Sequence, residues 1–164
     1  MVSKLTLMMI LMLCVGRYDF ATAIFGSSFY TNVDAIPKEY FRERREISGV
    51  IVHVHDGDTY RMRHMPNFLS SSEFTGTLKD NTINIRIAAV DTPEIGGKRK
   101  PGQKYSLEAK EFAEKKILGK RVTVKCLAKD RYGRLLGVVK YRELFSMRDI
   151  SEELLKRGLA GKYK

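Results

Sequence analysis

The sequence predicts a mainly β fold with helices, an α+β class: a five-stranded OB-fold barrel, one helix between its third and fourth strands, and a C-terminal helix. Three observations predict it. Short segments dense in β-branched residues recur five times between residues 47 and 141, each bounded by turn-forming residues. A helical pattern over 106–118 falls between the third and fourth of them, and a second opens at Asp149 and closes at Gly158. The chain has 164 residues, 43% of them apolar, which suits one domain with a leader and argues against global disorder.

Taken in order, the chain begins with Lys4 and then an apolar run over 5–15, followed by the small residues Ala21 and Ala23 around Thr22. This is the pattern of a secretory signal peptide cleaved after Ala23. An uncleaved anchor and a mitochondrial presequence are the competing readings. The expected location is the secretory pathway or the extracellular space, with a membrane-anchored or mitochondrial protein as the alternative. Any membrane contact is expected through this segment. The run is too short to span a bilayer alone, and Arg17 and Asp19 interrupt its extension. Cys14 lies inside the leader, so Cys126 stands alone after cleavage; no internal disulfide and no cysteine-based zinc site can form. The expected organisation is a leader over 1–23, a linker or arm over 24–46, and the barrel domain over 47–164.

Residues 24–36 mix Ser, Thr, Asn and Gly with scattered aromatics and read as a weakly packed arm. Residues 37–46 carry both charge signs and read as a short helix or a solvated charged face. The first strand is expected over 47–55, with Val50, Ile51, Val52 and Val54. Asp56-Gly57 then reads as a hairpin turn, on the ground that Gly tolerates positive φ. Asp58 sits at the mouth of that hairpin, and the second strand runs to about His64. Residues 65–81, with Pro66, Asn67, three serines and Gly76, form a polar loop of unusual length. The third strand is expected over 82–90. Ile83, Ile85, Ile87 and Ala89 share one face; Asn84, Arg86, Ala88 and Val90 share the other.

Pro93 ends that strand and delivers Asp91, Thr92 and Glu94 at its tip. One guanidinium, one hydroxyl and two carboxylates thus fall within residues 86–94. These groups suit chemistry on a phosphate: carboxylates to hold a hard cation or act as base, and a guanidinium for phosphate oxygens. A Gly-rich loop over 95–104 with four cations follows, then the helix, where Ala109, Phe112, Ala113 and Lys116 share a face beside Ile117 and Gly119 is the C-terminal cap. The fourth strand, over 121–128, puts Val122, Val124 and Cys126 on one side, with Cys126 a small core residue. A basic turn over 129–134 leads into the fifth strand, 135–141. In the last helix, Asp149 and Glu152 form a capping-box-like pair, and Leu154 and Leu155 face the core.

The net charge is +11, and loss of residues 1–23 changes it only to +10, so the basic character belongs to the domain. A basic domain favours polyanionic partners, nucleic acid first and anionic membrane second.

Three motifs in order, Asp56-Gly57-Asp58-Thr59, Arg86 with Asp91-Thr92-Pro93-Glu94, and Asp130-Arg131-Tyr132-Gly133-Arg134, resemble those of the staphylococcal-nuclease (thermonuclease) domain family. The resemblance covers roughly residues 47–163. The segment 36–47 and the long 65–81 insertion are similar, more loosely, to fungal membrane-anchored endonucleases of the same superfamily. The resemblance implies an OB-fold phosphodiesterase that uses Ca2+ to cleave DNA and/or RNA. It implies Asp58 and Asp91 as metal-ligating carboxylates and Thr92 as a ligand through its carbonyl. It implies Glu94 as the general base on water, and Arg86 and Arg134 as the guanidinium groups on the phosphate. Tyr132, with Arg131 beside it, corresponds to residues near the bound nucleotide. The protein is expected to act as a monomer. The insertion is longer than in the bacterial enzyme, and of the tyrosines the bacterial family carries beyond its last barrel helix only Tyr163 is on offer here.

Two other functions compete. OB-folds also serve as non-catalytic nucleic-acid-binding modules. His53 and His55, on one strand face, could pair on a metal with a carboxylate.

Overall fold

The computed structural model describes residues 29–66, 76–97 and 100–163. The leader with Cys14, the serines of the long loop, and Lys98 and Arg99 of the Gly-rich loop lie outside the described residues. A one-turn 3-10 helix, Val33–Ala35, precedes helix α1, Lys38–Arg42. Strands β1, Glu46–Val54, and β2, Thr59–His64, form the first hairpin; β3, Ile83–Ile87, pairs with β2. After the two-residue strand β4, Val90–Asp91, comes helix α2, Ser106–Ile117. Strands β5, Arg121–Lys129, β6, Leu135–Glu143, and β7, Ser146–Asp149, lead into helix α3, Ile150–Lys156, and strand β8, Gly161–Lys162.

The main sheet runs β3-β2-β1-β5-β6-β7, and a parallel pairing of β3 with β6 closes the first five into a barrel. This is the five-stranded OB-type architecture the segment pattern predicts. Alternation explains the core. Ile83, Ile85 and Ile87 point inward from β3, Val122, Val124 and Cys126 from β5, and Leu135, Val139 and Tyr141 from β6. Helix α2 seals one end of the barrel with Ala109, Ala113 and Ile117, and α3 adds Ile150 and Leu154. Burial pushes the Cys126 thiol up to about 11, so it behaves as a small apolar side chain. Gly119, at φ +72, ends α2, and the Asp149 side chain caps α3 by accepting from the Ser151 amide at 2.8 Å.

Four differences from the sequence reading matter. The third strand stops at Ile87 rather than Val90: Ala89 turns left-handed at φ +65, and Val90–Asp91 pair instead with Gly161–Lys162. The fifth strand folds back as β7, a hairpin that the sequence reading lacks. The segment read as a weakly packed arm buries Val33 and Ile36 in the core cluster, where apolar side chains leave water, and the charged stretch after it does form a helix. Finally, Gly57 is not among the residues with positive φ. It is glycine because a Cβ there would lie 2.7 Å from Thr92 Cγ2 and 2.9 Å from Ala109 Cβ.

Candidate active site

The close approach of the β1–β2 turn to Thr92 is what assembles the site. Tyr60 is fully buried below the turn, and its hydroxyl donates to the Gly57 carbonyl at 2.5 Å. The Asp56 carboxylate accepts from the Asp58 amide at 3.1 Å, shaping the turn from inside. These contacts fix Asp58, whose side chain is only 1% exposed. Its Oδ2 accepts from the Thr92 backbone amide at 2.8 Å, and its Oδ1 from the Thr59 hydroxyl at 3.2 Å and from Arg86. Residues 34 positions apart are thereby locked together through one carboxylate.

Arg86 lies opposite Thr59 in the β2–β3 register and points to the outer face, as the alternation of β3 predicts. Its guanidinium is the hub of the site. Nη1 donates to Asp58 and Nη2 to Asp91, so two carboxylates from separate elements converge on one cation. Asp91 is half exposed at the rim.

Beside this hub lies a cleft of about 560 Å³, lined by Arg86 and Asp91 on one side and by Arg131, Tyr132 and Arg134 on another, with Tyr163 at its edge. The 130–134 turn is self-braced. Asp130 accepts from the amides of Tyr132 and Arg134, both at 2.8 Å, and from Arg134 Nε at 2.6 Å. Gly133 adopts φ +76 to complete the turn. Burial raises the Asp130 carboxyl pKa, but the Arg134 amide, the Arg134 guanidinium and the Tyr132 amide outweigh it and hold the group below its usual value. Arg134 thus pairs with Asp130 through Nε while the residue lines the cleft. Tyr132 is 68% exposed with Arg131 and Arg134 over its ring at 4.9 and 5.3 Å, an open aromatic plane flanked by cations.

The structure thus joins Asp58, Arg86, Asp91 and Thr92 and sets Arg131, Tyr132 and Arg134 around the adjoining cleft. Glu94, three residues beyond Asp91, is exposed and is not among the residues that line this cleft. Its backbone is clamped by Gln103, whose side-chain oxygen accepts from the Glu94 amide at 2.7 Å while the Gln103 amide donates to the Glu94 carbonyl at 2.9 Å. Sequence reasoning missed Gln103, Tyr60 and the bracing role of Asp130. Only the last had a local signal, an Asp opening a short Gly-containing turn.

The groups here that could hold a metal are the carboxylates of Asp58 and Asp91 and the Thr92 carbonyl. All are oxygens, which suits a hard cation such as Ca2+. Carboxylates that reach one guanidinium are also placed to share an ion. Among the described residues no group of three His, Cys, Asp or Glu side chains is arranged to hold a metal, so water or a bound phosphate would complete the coordination. The same finding leaves the exposed His53 and His55, whose rings lie 6.5 Å apart, without a carboxylate to complete a metal site.

Residues 84–164 match the model of the staphylococcal nuclease homologue family. The chain is 37% identical over 136 residues to endonuclease Htp3 of Saprolegnia parasitica, covering 82% of this chain and 64% of that protein. It is 35% identical over 147 residues to the probable endonuclease LCL3 of Komagataella phaffii, covering 83% and 63%. It is 33% identical over 152 residues to the probable endonuclease C19F8.04c of Schizosaccharomyces pombe, covering 82% and 66%. The chain therefore spans less than two thirds of the length of each of these relatives.

Proposed function

We propose that this chain, whose residues 84–164 match the staphylococcal nuclease homologue family, is a Ca2+-dependent nuclease that hydrolyses phosphodiester bonds of DNA and/or RNA. One observation carries this reading: Asp58 and Asp91, brought from two distant elements, meet on Arg86 at the wall of a cleft shared with Arg134. A polyanionic substrate also suits the net charge of +11.

In this reading Asp58, Asp91 and the Thr92 carbonyl hold the ion, which when bound supplies polarisation of a phosphate oxygen and neutralises charge. Arg134, steadied by Asp130 through Nε, offers its terminal nitrogens to the non-bridging oxygens. Arg86, at the wall of the same cleft, would do the same, and the two guanidiniums would offset the charge that grows as water attacks phosphorus. Glu94 accepts the proton of that water, and the ester oxygen departs. Tyr132 and Arg131 flank the nucleotide.

The net charge of +11 on an OB-type barrel equally suits a second reading, a nucleic-acid-binding module without turnover. Incubating the full chain with circular DNA, and with single-stranded RNA, in Ca2+ or in EGTA separates them. Cleavage in Ca2+ alone is expected, with the circle opened as an endonuclease would open it. Glu94→Gln should lower the rate about 100-fold or more while substrate affinity stays nearly constant. Equal cutting by both proteins would strip Glu94 of its role. Binding without cleavage under any divalent cation would establish the module instead.

A further inference from the structure

The most exposed apolar side chains among the described residues sit together at the turn of the β6–β7 hairpin, away from the cleft. Glu143 and Ser146 pair across the hairpin, so Leu144 and Phe145 form a two-residue turn. Leu144 is 84% exposed and Phe145 99%, and Met147, on β7, is half exposed beside them. Leu144 adopts φ +53, where a bulky side chain is strained and hairpin turns usually place Gly or Asn. The fold neither buries these residues nor favours them in the backbone, which points to something outside the chain that they meet.

The base of this finger is cationic. Glu143 pairs with Lys116 at 2.6 Å and with Arg148 at 3.8 Å. The Lys116 hydrogen bond foremost, with the nearby charges of Arg148 and Lys120, holds its carboxyl below the usual range. Arg142 precedes it, exposed. Glu143 therefore faces three cations, Lys116, Lys120 and Arg148, with Arg142 on the other face of the strand; the groove beside Met147 and Arg148 adds Asp149, Glu152 and Glu153, matched there by Lys125, Lys140 and Lys156. Strand β6 runs nine residues from the cleft wall to this turn, which sets the finger roughly 25–30 Å from the cleft.

We propose that the Leu144–Phe145 finger is an interfacial anchor: it inserts into the headgroup–acyl boundary of an anionic bilayer while Lys120, Arg142 and Arg148 meet the lipid phosphates. The side chains distinguish a bilayer from nucleic acid. Leu144 and Met147 have no π face for a base to stack on, whereas a bilayer takes all three apolar side chains. An apolar insertion and a basic patch are each weak alone and bind stably together. Seated at the end of β6 opposite the cleft, the anchor holds the cleft away from the membrane and open to substrate.

The chain contains no tryptophan, so Phe145→Trp in the full chain is a single reporter at the tip, at a site exposed enough to tolerate the exchange. With phosphatidylserine-containing vesicles its emission should shift to the blue and be quenched by lipids brominated on their acyl chains. Neutral phosphatidylcholine vesicles should give a much smaller response. Because the reporter reads the tip alone, attachment through the leader would leave it unshifted. Adding Lys120→Glu and Arg142→Glu should raise the lipid concentration at half-shift about thirtyfold or more. Emission indifferent to phosphatidylserine vesicles, or shifted by single-stranded DNA in their place, overturns the anchor, as does a lipid titration that ignores the two charge reversals.

Discussion

Asp58 holds three donors from three places in the chain: the Thr59 hydroxyl, the Thr92 amide and the Arg86 guanidinium. At 1% exposure its charge depends on them. Arg86 is the only full charge of the three, and it is shared with Asp91. Arg86→Met therefore leaves a buried carboxylate without its cation, a change that typically costs about 3–5 kcal/mol. That loss is expected in the urea midpoint measured in EGTA. In saturating Ca2+ the same oxygens can take the ion in place of the guanidinium, so the deficit relative to the parent protein should shrink. A deficit of the same size in both buffers would mean that Asp58 and Asp91 do not share a metal. This readout is independent of cleavage, so it separates the donor set from the role of Glu94.

Two turns show how elements set the site. At the β1–β2 turn Gly57 leaves no room for a methyl group between Thr92 and Ala109 of α2. Gly57→Ala must push the turn from the helix or displace Thr92, at about 1–3 kcal/mol. Because Thr92 holds Asp58, turnover should fall further than the stability loss accounts for, which paired melting and rate measurements will show. At the β6–β7 turn the sign reverses: Leu144→Gly relieves the left-handed strain and should raise stability by about 0.5–1 kcal/mol by thermal melting. A lower melting temperature there would show that Leu144 packs on something after all. These turns also show what a sequence discloses. The alternation Ile83, Ile85, Ile87 is local, so the outward aim of Arg86 could be read directly. The need for Gly57 is a contact between residues far apart in the chain, so the residue was legible and its reason was not. The left-handed Ala89 carries no compositional signal, and β8 forms only because β4 has left the barrel to meet it. The convergence of Asp58 and Asp91 on Arg86 was visible only through the order of the motifs, since no single motif contains all three residues.

At the scale of the whole molecule, the segment before β1 is part of the barrel's packing. Val33 and Ile36 enter the core, the Arg45 carbonyl accepts from the Cys126 amide at 2.9 Å, and Lys129 pairs with Asp34. Its first described turn docks on His64 of β2: the Tyr30 amide donates to Nδ1 at 3.0 Å, and the rings stack at 4.6 Å. Composition could not reveal this, because the polar segment acquires its apolar role only against a histidine 34 residues away. The docking requires a neutral imidazole, since Nδ1 must accept. Burial, with the nearby Arg121 charge adding to it, lowers the His64 pKa from 6.5 to about 4. The unfolded chain then binds the proton more readily than the folded one. The contribution to stability is complete above about 6.5 and is lost as pH falls toward 4. Asp130, whose pKa is lowered from 3.8, loses its own contribution only at more acidic pH, outside most of this window. His53 is shifted in the same direction, by burial first and then by the Lys110 charge, so a pH scan of the parent protein alone mixes the two histidines. His64→Gln resolves them, because an amide oxygen can still accept from Tyr30 and does not titrate. We expect the melting temperature of the parent protein to drop between pH 6.5 and 4.5 and that of His64→Gln to drop less. The protection factor of the Tyr30 amide, its exchange corrected for the intrinsic rate at each pH, should fall over the same range in the parent protein only, because the docking of the segment and the charge of the imidazole are one equilibrium. If both proteins lost stability with the same slope, His64 would not be the titrating group, and the attachment of the segment would rest on Val33 and Ile36 alone.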